Sequence, residues 1–302
     1  MKPSKIFITG ATGFIGSAVV RELLDSGHQV LGLARSNEAV EALKATGAEP
    51  HRGDLNDLDS LRRGAAESDG VIHTAYNHDF TVPREVAAEA DVRVIEAMGE
   101  VLVGSDRPLV ISSGTGGTNE EDPGTSSPRY ASEAMALSFA ERGVRAVVVR
   151  FPPTVHGRGD HGFVPILINI ARAKGVSAYP GDGSNHWAAV HRLDAAHLFR
   201  LAVDSAMPGM RLHGVAEEGI PVREIAEVIG RHLNLPVVSM PVEQAADHFG
   251  FLGQFFAWDV VRSSAKTRQA MGWEPVQPGL LADLEEGHYF ETTLTRAAAV
   301  TR

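Results

Sequence analysis

Three glycines in the run Thr9-Gly10-Ala11-Thr12-Gly13-Phe14-Ile15-Gly16 carry the plainest chemistry of the 302-residue chain. Gly10 permits a tight turn. Gly13 leaves no side chain between the backbone and a pyrophosphate. Gly16 lets a following helix pack against the strand before it, and the N-terminus of that helix attracts phosphate. The spacing suits a dinucleotide, provided that a strand precedes the run and a helix follows it. A second group bears on which dinucleotide. At the end of the next apolar segment, Gly32-Leu33-Ala34-Arg35-Ser36 lacks the acid that would accept hydrogen bonds from the ribose 2′-hydroxyl of NAD. Arg35 can pair with a 2′-phosphate and Ser36 can donate to it, so NADP(H) is expected ahead of NAD(H). Asp54, in Gly53-Asp54-Leu55, is expected near the adenine or as the cap of the next helix.

The elements that must hold these residues follow from periodicity. Lys5–Thr9 reads as a strand and Phe14–Ser26 as a helix, with Ile15, Val19 and Leu23 on one face and Gly27 as its stop. Strands are expected at His28–Leu33, Glu49–Arg52, Gly70–Thr74, Pro108–Ser113 and Val144–Arg150. Helices are expected from a cap at Asn37 to Thr46, over Val86–Val103 and over Ser126–Arg142. This alternation predicts an α/β fold, a Rossmann-type doubly wound parallel sheet. The apolar run Ala146-Val147-Val148-Val149 suits a strand covered on both faces. Gly114–Pro128 is the most loop-like segment, and it follows a strand end, where such sheets place ligands. Residues 1–155 are expected to form the dinucleotide-binding domain and 156–302 a smaller substrate-binding lobe. Within the lobe, about 186–204 could return to the main sheet. Helices are expected there at Phe163–Lys174, Leu193–Val203, Val222–Leu233 and Pro278–Phe290, and strands at Ala188–His191, Met210–Val215 and Pro236–Ser239.

Composition narrows the partners. The formal charge is −10, which argues against nucleic acid and anionic membranes. There is no cysteine, so thiolate nucleophiles and Cys-based metal sites are absent. No apolar stretch approaches the ~20 residues of a membrane span, and the short apolar run after Lys5 is not a signal-peptide core. A cytoplasmic protein is expected. Thirteen histidines include His156, His161, His186, His191 and His197, but no His-Glu-x-x-His pair, and no metal site is expected. His156, His161, Asn185, His186 and His191 read as polar pocket lining. There is no Gly-x-Ser-x-Gly elbow for a hydrolase.

Together the glycine turn, Asp54-Leu55, His73-Thr74-Ala75 and Ser112-Ser113 resemble the short-chain dehydrogenase/reductase superfamily. The segments Arg150-Phe151-Pro152-Pro153-Thr154-Val155-His156-Gly157 and Trp187–Ala196 resemble its extended or atypical branch, which includes epimerase/dehydratase-like proteins. The resemblance covers nearly the whole chain. It implies a cofactor held by Gly10, Thr12, Gly13, Phe14, Ile15, Arg35, Ser36, Asp54, Leu55, Thr74, Ala75 and Pro152. It implies a substrate lined by Tyr76, His156, Asn185 and His191, and a homodimer, which is the family's habit. It also implies a catalytic tyrosine assisted by a lysine four residues later, and a Ser or Thr after the fifth strand. Tyr130 stands in the tyrosine's place, with Ser113 and Thr115 as candidates for the hydroxyl. The lysine's place holds Ala134. An unassisted tyrosine, with a pKa near ~10, can donate a proton but is a poor base. Reduction of a ketone or aldehyde by NADP(H) is therefore expected. The alternatives are a sugar-nucleotide epimerase/dehydratase-like enzyme and a non-catalytic NADP(H)-binding sensor.

Overall fold

The computed structural model describes residues 3–77, 82–125 and 129–291. Seven parallel strands form the central sheet: β1 (Lys5–Thr9), β2 (Gln29–Ala34), β3 (Glu49–Arg52), β4 (Gly70–His73), β5 (Pro108–Gly114), β6 (Arg145–Phe151) and a late arrival, β10 (Arg211–His213). Their spatial order is β10-β6-β5-β4-β1-β2-β3. The order reverses between β1 and β4, and ligands bind outside the carboxyl ends of the strands at such a switch point.

Alternation along each strand divides the core in two. Ile6, Ile8, Ile72, Val110 and Val147 face α1 (Phe14–Asp25), α2 (Asn37–Thr46) and α7 (Arg192–Ser205). Phe7, Val71, Leu109, Ile111 and Val148 face α3 (Leu58–Ala66), α4 (Arg84–Leu102) and α5 (Tyr130–Ser138). With both faces covered, the strands read as unbroken apolar runs.

The second half adds a three-stranded sheet of β11 (Glu217–Pro221), β9 (His186–His191) and β7 (Thr154–His156), and a pair of β12 (Val237–Met240) with β8 (Ser177–Pro180). Around these lie α6 (Phe163–Lys174), α8 (Val222–Leu233), α9 (Ala245–Phe249), α10 (Leu252–Ala257), α11 (Ala265–Met271) and α12 (Leu280–Glu285), over a core that includes Val164, Trp187, Ile225 and Phe256. Of residues 186–204, α7 lies on the central sheet while β9 pairs elsewhere. The strand that rejoins the sheet is β10, beside β6. No helix among the described residues is long and apolar enough to cross a membrane.

Several local expectations need correction. The cap of α2 is Ser36, whose Oγ accepts from Ala39 N at 3.2 Å, and Asn37 is the first helical residue. The cap of α3 is Asp57, accepting from Ser60 N at 3.0 Å, while Asp54 accepts from Asn56 N at 2.9 Å in a turn. The helix expected over 278–290 is only α12, and Gly287 follows it at φ 83°. The helix expected from Ser126 begins at Tyr130 among the described residues, with 126–128 lying outside them. Short strands such as β7 and β11 carry too few residues for an alternation signal to show.

One charged pair lies inside this apolar frame. Arg150 on β6 and Glu133 on α5 have side chains only 0% and 3% exposed. Arg150 Nη2 donates to Glu133 Oε2 at 2.6 Å, and its Nε lies 3.0 Å from the same oxygen. The guanidinium also donates to the carbonyls of Asp122 and Pro123, fastening the loop after β5. Removing one partner of a buried pair leaves the other charge uncompensated. Arg150→Met should therefore lower stability by about 3–5 kcal/mol. Glu133→Leu combined with Arg150→Met should cost less than either change alone, as read from urea denaturation midpoints.

Candidate active site

The turn between β1 and α1 is built by exclusion. Gly10 lies at φ 71°, and a Cβ there would stand 2.8 Å from Ala75 N and Thr74 Oγ1. A Cβ on Gly16 would lie 2.0 Å from the Gly10 carbonyl oxygen. These contacts bring the N-terminus of α1 flush against the ends of β1 and β4. Thr74 Oγ1 donates to the Thr9 carbonyl at 2.8 Å, so Thr74 braces the turn from below. Thr12 and Gly13 are exposed, and Phe14 and Ile15 are half-buried in the first turn of α1. This open cradle and helix terminus fit a dinucleotide pyrophosphate. At the far end of the cradle, Arg35 is exposed just beyond β2 and Ser36 is half-buried. Arg52, paired in register with Ala34, reaches the Asn37 carboxamide beside them. Asp54 and Leu55 follow Arg52 after β3, both half-buried.

At the ends of β4 and β5 the candidate reactive groups collect. Alternation with Leu109 and Ile111 puts Ser113 on the face shared with α5 and settles the register of Ser112-Ser113. Ser113 is 5% exposed, and its Oγ has no hydrogen-bond partner among the described residues. Thr115 lies two residues on, its N–H donating to the Phe151 carbonyl at 2.8 Å, with buried Pro152 next along the chain. Tyr130 is the half-buried first residue of α5, and Ala134, one turn later, is exposed.

The cation that reaches the strand ends is the residue before Tyr130. Arg129 Nη2 donates to the Ser112 carbonyl at 2.6 Å, and its Cζ lies 3.9 Å from the centre of the Tyr76 ring. The same nitrogen is 3.6 Å from Asp91 Oδ2. Asp91 Oδ1 pairs with His73 Nε2 at 2.9 Å, and His73 Nδ1 meets Thr9 Oγ1 at 2.6 Å. Thr9, His73 and Asp91 are all buried. Burial pushes the Asp91 carboxyl up, but the hydrogen bond and charge of His73 and the charge of Arg129 outweigh it and hold the group below its usual range. A polar chain thus runs from the residue before Gly10 to the guanidinium at the strand ends. The sequence offered no sign of it, because its members come from four separate segments.

Residues from the second half of the chain pack against the same turn. Arg192 lies over the Phe14 ring at 4.6 Å and donates to Ser17 Oγ at 2.9 Å, and His161 meets Phe14 edge-on at 5.8 Å. His156 is buried, with Nδ1 2.8 Å from Asp283 and Nε2 without a hydrogen-bond partner among the described residues. Asp283 also pairs with His288 at 2.9 Å. Asp283, Glu286 and His288 form a cluster of metal-binding residue types, but both Asp283 oxygens already meet histidines. His191 packs edge-on to His156 at 5.3 Å and accepts from Leu193 N, and burial lowers its pKa. Tyr289 donates to Asp160 Oδ2 at 3.0 Å and accepts from Gly157 N. Asn185 stands apart: its Nδ2 donates to the carbonyls of Phe256 and Trp258, tying β9 to α10. His186 likewise pairs with Asp259 at 2.9 Å.

Comparison with known proteins agrees with this geometry. The sequence model of the NAD dependent epimerase/dehydratase family matches residues 6–211. An uncharacterized protein of Schizosaccharomyces pombe is 52% identical over 295 residues, 95% of this chain and 100% of that one. The 2-alkyl-3-oxoalkanoate reductase of Stenotrophomonas maltophilia is 30% identical over 263 residues, 79% of this chain and 78% of that one. Among solved structures, the dTDP-glucose 4,6-dehydratase DesIV of Streptomyces venezuelae, with NAD and TYD bound, shares the fold. Its TM-score is 0.75 at 18% identity, covering 95% of this chain and 96% of that one.

The Asp91 carboxyl gives a pH test with a definite sign. Its folded pKa is below the unfolded value, so its contribution is complete above about pH 4 and is lost as pH falls through the folded pKa. Asp91→Asn should lower the urea midpoint at neutral pH, and the gap to the wild type should narrow in acid.

Proposed function

Since the chain belongs to the NAD dependent epimerase/dehydratase family, we propose that it is an NADP(H)-dependent oxidoreductase that reduces a ketone or aldehyde. The observation that carries this reading is Ser113: a buried hydroxyl with no partner among the described residues, at the end of β5, two strands from the glycine turn. A carbonyl oxygen is the kind of acceptor that such a hydroxyl serves, and stabilising charge on that oxygen is how a site of this kind lowers the barrier. Gly13, Phe14 and Ile15 would hold the pyrophosphate. Arg35 and Ser36 would hold the 2′-phosphate, Arg35 by its charge and Ser36 from its place at the cap of α2. The bound dinucleotide supplies the hydride. Ser113, with Thr115 beside it, orients the substrate oxygen, and a hydroxyl at the strand ends delivers the proton.

The exposed Ala134 disfavours the alternative of an epimerase or dehydratase, which must first oxidise its substrate and needs a competent base. The name of the Stenotrophomonas relative, a reductase of an oxo acid, supports the reductive direction.

Arg35 provides the cofactor test. A charge-assisted hydrogen bond contributes ~1.5–3 kcal/mol, so Arg35→Asp should weaken NADPH binding by about tenfold or more and leave NADH binding no weaker. Fluorescence titration with both dinucleotides checks this, and equal affinity of the wild type for the two would remove the NADP preference. NADPH oxidation across a panel of ketones and aldehydes tests the reaction. NADPH binding with no turnover on that panel would favour a dinucleotide sensor instead.

A further inference from the structure

We propose that Tyr76 is the proton donor of this site and that Arg129 is the cation that steadies its phenolate. The inference rests on the reading of the protein as a carbonyl reductase and assigns the acid within it. Three observations carry it. Tyr76 leaves the end of β4 three residues after His73, at the switch point of the sheet. Its ring is covered by the Arg129 guanidinium at 3.9 Å, the shortest cation–ring distance among the described residues. Arg129 is itself fixed, by the Ser112 carbonyl at 2.6 Å and by the buried Asp91–His73–Thr9 chain. A surface arginine resting on a tyrosine would need none of these supports. Here the Ser112 carbonyl and the head of a buried polar chain hold one guanidinium against one phenol ring, on the residue after Ala75, whose backbone packs against Gly10.

The chemistry balances. Hydride from the reduced nicotinamide dinucleotide adds to the carbonyl carbon, the phenol O–H bond breaks, and its proton bonds to the carbonyl oxygen. The resulting phenolate takes a proton from water. Arginine stays charged throughout, so Arg129 cannot relay that proton and acts only by its field. Among the described residues, the charged groups that act on the phenol are Arg129 and Arg84, which favour the phenolate, and Asp91, which opposes it. His73 meets Asp91 on its far side. Burial pushes the Tyr76 phenol above its usual range, and the Arg129 charge works against that rise. The phenol stays protonated near neutral pH, and the Arg129 charge offsets part of the acidity that burial takes from it.

Two measurements test the assignment. Tyr76→Phe should lower kcat for NADPH-dependent carbonyl reduction by about 100-fold or more, the usual range for a lost general acid, with NADPH affinity unchanged. Arg129→Lys should retain more turnover than Arg129→Met. Turnover retained in Tyr76→Phe and abolished in Tyr130→Phe would give the role to Tyr130 and overturn the proposal. The second measurement does not depend on turnover. The chain has four tyrosines, so the ultraviolet titration of the wild type minus that of Tyr76→Phe isolates the Tyr76 phenol. In Arg129→Met that component should move to higher pH, and in Arg129→Lys it should stay nearer the wild-type position. A component that does not move in Arg129→Met would overturn the pairing, even in a protein that reduces no carbonyl at all. A component that moves, in a protein without turnover, would uphold the pairing and place the failure in the carbonyl-reductase reading.

Discussion

A parallel sheet covered on both faces has only its strand ends to offer to solvent, and that confinement organises everything else in this protein. Ile6, Phe7, Ile8, Val110, Ile111 and Val147 are all fully buried, so no polar chemistry can sit along the strands. The ionisable groups that do lie inside must be paired, because an isolated charge there would be too costly. Arg150 meets Glu133, His73 meets Asp91, and His156 meets Asp283. Arg150 and His73 lie at the carboxyl ends of β6 and β4, while a further buried pair, His28 with Asp204, lies at the opposite end, just before β2. The His73–Asp91 pair leads on to Arg129 at the strand ends.

The fold was largely legible in the sequence because its signals are local. The glycine turn needs only Gly10, Gly13 and Gly16 in context, and β1, β3, α2 and α6 follow from periodicity and stops. The boundaries that were misread also have local causes. Ser36 and Asn37 are both good caps, and only the backbone decided between them. Asp54 and Asp57 competed in the same way. The strand β10 has three residues, too few to announce that it would rejoin the sheet.

The candidate site was legible in part. Ser113, Thr115, Tyr76 and the turn could be named from their positions after strands. Arg129 could not, since an arginine beside a tyrosine gives no hint of where its side chain goes. Its direction is set by Asp91 on α4 and by the Ser112 carbonyl on β5. Ala134 was read as a missing cation, and the structure places the Arg129 guanidinium at the ends of β4 and β5 from a different position. Asn185 was read as lining, and the structure shows its amide holding α10 to β9.

The loop after β5 was the most irregular stretch in the sequence, yet over residues 118–123 it is held by three residues from elsewhere in the chain. Arg150 takes the carbonyls of Asp122 and Pro123, Glu120 accepts from Thr267 on α11, and the Thr118 carbonyl accepts from Ser263 N. Ordering a backbone costs about 1–2 kcal/mol per residue at room temperature, and here folding has already met that cost. A ligand that settles against this loop finds it preorganised, so little of its contact energy is spent on conformational entropy. An apparently formless segment can in this way favour tight binding more than a mobile lid of the same composition would.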